Sequence, residues 1–84
     1  MRPTASVKTI EMLKSLRRQY DVAMRDKYYD LAACVAADAV EYVYLAVEEG
    51  EMTDGQADLE VMRWKACQVA AIDDIDLSWR GTEQ

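Results

Sequence analysis

The sequence predicts an all-α fold, a small antiparallel bundle of three helices with room for a short fourth helical turn at the C-terminus. Two observations lead there. Only three Gly and one Pro punctuate 84 residues of which 51% are apolar, which excludes a disordered composition and leaves few places to break regular structure. Apolar residues then recur at three- and four-residue spacing in three successive segments separated by turn signals. At this length, residues 1–84 make one domain, near the lower limit of what folds without a metal or a disulfide.

Helix 1 is predicted over residues 5–26. Ser6, after Pro3, is suited to be the N-cap, and Ile10, Leu13, Leu16, Tyr20 and Met24 line one face. Lys8, Lys14, Arg18 and Arg25 occupy the other faces. Arg17 lies at the edge of the apolar stripe, where its methylenes can rest on the core and its guanidinium can reach a carboxylate of a neighbouring helix. Asp21 stands four residues from both Arg17 and Arg25, a spacing that supports the helix.

Helix 2, over 29–49, gathers Asp30, Cys34, Asp38, Glu41, Glu48 and Glu49 into a sector of about 100° at helical spacing. The rest is apolar or small, with Leu31, Val35, Ala39, Tyr42 and Ala46 on one flank and Ala36, Val40, Val43 and Val47 beyond them. That arc is wider than one neighbour needs, so the helix should have two partners, and it motivates the expectation of a homodimer. No basic residue lies on the helix, and Glu48 and Glu49 sit at the end where the macrodipole disfavours them.

Gly50 suits the residue just past the end of helix 2, and Thr53 followed by Gln56 three positions later forms a capping box that opens helix 3. Helix 3, over 54–72, has Leu59, Met62, Ala66, Val69 and Ala70 as its main stripe and Val61, Trp64 and Ile72 as a weaker one. Asp73, Asp74 and Asp76 mark fraying or a new turn, after which Leu77 and Trp79 return to cover the bundle.

Charge is divided unevenly along this chain of net charge −6. Residues 1–27 hold seven Lys/Arg against three Asp/Glu, whereas residues 28–84 hold thirteen Asp/Glu against three Lys/Arg. Such asymmetry speaks to partners rather than to fold. The acids of the second part would repel a nucleic-acid backbone, and no interleaving of aromatic and basic residues forms a base-stacking platform, so no direct nucleic-acid binding is expected. The cations of helix 1 are expected instead to pair with the acid sector of helix 2 or across a dimer. No membrane span is expected, because the longest apolar stretch, 31–47, contains Asp38 and Glu41. A mixed, charged start without an apolar export region makes the cytoplasm the default location.

The chemistry available is limited. With no histidine, Ser-His and Cys-His catalysis and His-containing zinc sites are excluded. Cys34 and Cys67 lack the spacing of a metal or redox motif and are expected to be free, buried, small apolar fillers. Asp73, Asp74 and Asp76 do not follow the alternation of a Ca²⁺ loop, so no catalytic residue, metal site or cofactor is expected. The segment Leu16-Arg17-Arg18-Gln19-Tyr20-Asp21 is loosely similar to the Arg-rich first helix of small all-helical chorismate mutases. Such a site needs cations converging from more than one helix, and helix 2 supplies none.

What remains points to a non-enzymatic binding protein that occludes a surface of another protein. In small size, acidic surface and abundant Tyr and Trp, the chain is similar to phage-encoded inhibitors of host machinery, anti-CRISPR proteins among them, a likeness of composition rather than of motif. The expected contact set is Asp38, Glu41, Glu48, Glu49, Glu51, Asp54, Asp58 and Glu60 with Tyr44 and Trp79, and the expected partner is another protein with a basic surface. A self-associating structural or adaptor module and a toxin-neutralising immunity protein are the alternatives.

Overall fold

Each predicted stripe finds a neighbour across a short turn. The computed structural model describes residues 7–82, with side chains through Leu77, and contains α1 (Val7–Arg25), α2 (Tyr29–Glu48) and α3 (Asp54–Thr82). The chain runs up, down and up, and α2 is the central helix, packed against both α1 and α3. The predicted Ser6 cap lies outside the described residues.

Both turns close in the same way. After α2, the Gly50 N–H donates to the Val47 carbonyl at 3.0 Å and the Glu51 N–H to the Ala46 carbonyl at 2.8 Å, with Gly50 at φ 75°. This is the Schellman closure that Gly50 announces. After α1, the Lys27 N–H donates to the Met24 carbonyl at 3.1 Å and the Tyr28 N–H to the Ala23 carbonyl at 2.8 Å. Here the left-handed position is held by Lys27 at φ 67°, a conformation that strains an L side chain and that its sequence does not signal. At the start of α3 the capping box is present: the Gln56 N–H donates to Thr53 Oγ1 at 3.2 Å, and the Thr53 N–H to Gln56 Oε1 at 3.3 Å.

The core is built from small residues on α2. Ala32, Val35, Ala36, Ala39, Val43 and Ala46 are buried, and three of the alanines are wholly inaccessible, so the backbones of α1 and α3 approach closely. Tyr20 and Ala23 of α1 and Trp64 and Ala71 of α3 complete one cluster, while Met52 and Ala57 close the other around Val43 and Ala46. The Tyr20 and Trp64 rings meet edge to face, with centroids 6.2 Å apart and planes at 88°. Most of the wide apolar arc of α2 is therefore covered inside one chain by α1 and α3, while Leu31 and Leu45 of the same helix stay 54% exposed.

Helix 3 departs most from expectation. Instead of ending near residue 72, it continues unbroken to Thr82, because no Gly or Pro occurs between Gly55 and Gly81 and three Asp residues cost only about 0.7 kcal/mol each in helix propensity. Among the described residues no separate fourth turn follows it. Leu77 stands 60% exposed, Ala71 is the last buried residue of α3 among the described side chains, and the expected cover by Trp79 lies outside them. With 29 residues against 19 and 20 for its neighbours, α3 runs past the start of α2 and helps stretch the molecule to 57 × 18 × 14 Å.

Its rotation is also reversed. Trp64, on the predicted minor stripe, is buried with Ala57 and Ala71, one heptad away on either side. The predicted main stripe faces outward, with Leu59 at 58%, Met62 at 68% and Val69 at 57% exposure and Ala66 and Ala70 exposed beside them. A tryptophan flanked by alanines seals more area against α2 than the longer row of medium-sized side chains would, and the alanines let it approach.

Candidate functional site

The acidic contact set occupies two adjoining stretches of surface. Asp38, Glu41 and Glu48 are exposed on α2, together with Asp30 and Cys34 of the same sector, and Tyr44, 52% exposed, lies one turn from both Glu41 and Glu48. Glu49, Glu51, Asp54 and Asp58 gather at the α2–α3 turn, where all but the half-buried Glu51 are exposed. Trp79 lies in the last turns of α3, and its side chain is outside the described residues. Glu60 separates from the set because it turns toward α1 and pairs with Arg63 at 3.5 Å.

Among the described residues, the ion pairs are Arg17–Asp21 at 3.3 Å, Arg25–Asp26 at 3.4 Å and Arg63–Glu60. None joins α1 to α2. Within one chain, and among the described residues, the cations of helix 1 do not pair with the acid sector of helix 2; the expected alternative, pairing across a dimer, involves a second chain. Arg25 also takes Asp26 rather than Asp21. Asp54 is the one acid of the turn whose place in a first helical turn is favourable to the dipole.

Arg17 does not reach a carboxylate on a neighbouring helix either. Its guanidinium is held by Asp21 of α1, lies 5.6 Å from the Tyr20 ring centroid and 6.0 Å from that of Trp64, and donates to Cys67 Sγ at 3.3 Å. Tyr20 Oη donates to the Cys67 carbonyl oxygen at 2.8 Å. Burial raises the Tyr20 pKa above its ordinary value of 10.0, helped by Cys67, while the Arg17 charge pulls the other way. Both cysteines are free; Cys34 is no buried filler but falls among the acids on the solvent side of α2, whereas Cys67 is half-buried, packs against the core cluster and lies beneath Arg17.

Two features escaped the sequence reading. The first is the outward apolar stripe of α3. The second is a groove of about 590 Å³ between α1 and α3, bordered by Lys14 and Arg17 from one helix and Arg63 from the other. Cations from two helices therefore border one groove, although helix 2 supplies none of them. The signal for the groove lay in the sequence only as Arg63 adjoining Trp64, and it becomes legible once Trp64 is known to be buried.

Among the described residues, no helix is long and apolar enough to cross a membrane, and no three His, Cys, Asp or Glu residues are placed to share a metal ion. No protein-family model, curated protein or solved structure matches the chain.

Proposed function

We propose that the protein is a non-enzymatic binding module that occludes a basic surface of another protein through the acidic face of α2 and the α2–α3 turn. The observation that supports this reading is that Asp38, Glu41, Glu48, Glu49, Glu51, Asp54 and Asp58 have no ion-pair partner among the described residues, although ten Lys/Arg are available in the chain. Like charges crowded at one end of the bundle, two of them against the C-terminal dipole of α2, raise the free energy of the isolated protein, and a cationic partner relieves it. Tyr44 supplies an aromatic anchor within the charged field. The compositional likeness to phage-encoded inhibitors, anti-CRISPR proteins included, makes a nucleic-acid-handling host protein of the cytoplasm the target class in this reading.

The test is capture from host lysate at low and high salt, followed by affinity measurement on the partner identified. A stoichiometric basic partner lost at high salt is expected. Neutralising Glu48, Glu49, Glu51, Asp54 and Asp58 to Gln or Asn should weaken binding at least about tenfold, a loss of about 1.4 kcal/mol. Unchanged affinity would sink the acidic contact.

A second reading is favoured by the exposed stripe of α3. Leu59, Met62, Ala66 and Val69 follow heptad spacing on the face opposite α2, and a second copy of the chain would cover them. Self-association would then be seated on α3 rather than on the arc of α2.

A further inference from the structure

The α1–α3 groove differs in charge from everything around it. The chain carries a net −6, yet the groove is bordered by Lys14, Arg17 and Arg63 against the single carboxylate of Glu60. Lys14 has no ion-pair partner among the described residues. The other two cations are held by an exposed pair at 3.3 Å to Asp21 and by a pair at 3.5 Å to the half-buried Glu60, in which the Arg63 side chain itself stays exposed.

The rest of the lining is apolar except for Gln56. Because α1 and α3 run in the same direction, Ile10, Leu13, Met52 and Leu59 fall at one end, and the three cations at the other beside Trp64. Met52 and Trp64 are buried and so form a fixed floor, and Arg17 is pinned over the Tyr20 and Trp64 rings. A volume of about 590 Å³ lies within the range of small-molecule sites.

We propose that this groove binds a small amphipathic carboxylate, its apolar body lying on Ile10, Leu13 and Leu59 above the Met52 and Trp64 floor and its carboxylate at Lys14, Arg17 and Arg63. Charge and polarity select this class together. A neutral apolar molecule leaves three cations unused, and a polyanion meets the Glu60 carboxylate in the groove and is repelled by the acids elsewhere on the chain. The site is independent of the acidic face of α2, which lies on another side of the bundle.

Octanoate and 1-octanol, matched in chain length and differing in charge, are the probes. Titration of the ¹⁵N-labelled full chain should give saturable shifts at Leu13, Lys14, Arg17, Arg63 and the Trp64 indole with octanoate, and about tenfold weaker binding of the alcohol. A Lys14→Glu/Arg63→Glu variant, which alters only exposed side chains, should weaken octanoate about tenfold, whereas Lys65→Glu on the far side of α3 should leave it unchanged within about twofold. Equal binding of octanol, shifts confined to Met62 and Val69, or absence of saturation would each overturn the proposal. The wild-type comparison of the two probes decides the matter even if the charge-reversed variant does not fold.

Discussion

The two faces of α3 differ in apolar content, and the poorer one is the one that is buried. The inner face, Ala57, Trp64 and Ala71, is buried against α2, while the outer face, Leu59, Met62, Ala66 and Val69, meets solvent. Hydropathy alone would rank the outer face first. What decides is fit to a partner made mostly of alanine and valine: a close-packed seam against Ala36, Ala39 and Val43 favours one large ring between two small residues over a continuous ridge of medium ones. The helix thus satisfies the core with its smaller stripe and keeps the larger one for whatever it meets outside.

The largest effect comes from removing the inner ring. Trp64→Ala should destabilise the fold by about 3–5 kcal/mol in urea denaturation followed by circular dichroism, much of what a domain of this size possesses. Met62→Ala, by contrast, should stay within about 0.5 kcal/mol. Equal costs at the two positions would erase the difference between the faces.

A smaller effect comes from the hydroxyl that fastens α1 to the inner face. Tyr20→Phe should cost about 1 kcal/mol by loss of the 2.8 Å bond to the Cys67 carbonyl. Tyr20 also makes stability depend on pH. Since its folded pKa is raised above 10.0, the native state keeps the proton where the unfolded chain releases it. Its contribution is therefore complete below pH 10 and declines as pH climbs from there through the raised value. Denaturation midpoints of wild type and variant, compared from pH 9 upward, should show a shallower decline for Tyr20→Phe.

How much of this was legible follows from where the signals are local. Helix count, the start of α3 and the end of α2 are written in Thr53, Gln56 and Gly50, whose roles depend on the residues within one turn of them. The same closure at Lys27 was not legible, because a left-handed lysine is chosen by the short crossing between α1 and α2 and not by its own preference. The exposure of the acidic set could be read, since acids stay solvated. Its lack of internal partners could not, because the rotation of α1 about its axis determines which way Lys14 and Arg17 point. The rotation of α3 was misread for the same reason: period gives the stripes, and only the shape of the facing helix selects between them. The groove follows from both rotations at once.

The smallest effect on stability belongs to the outer face, and it sharpens the comparison most. A Met62→Lys/Val69→Lys variant should unfold within about 0.5 kcal/mol of wild type when both are compared as isolated chains, because neither side chain touches the core. Its mass is the informative readout. If the outer stripe is a seam between two copies, wild type scatters light as twice 9.6 kDa and the variant as one chain. Asp58, Arg63 and Lys65 flank that stripe, but its contacting residues are uncharged, so a dimer seated there should persist at high salt, where apolar burial is not screened. A dimer that dissociates with salt would instead be held by the basic and acidic parts of the chain, leaving Leu59, Met62 and Val69 for another partner. A wild type that scatters as a single 9.6 kDa chain at every concentration would exclude self-association on either basis.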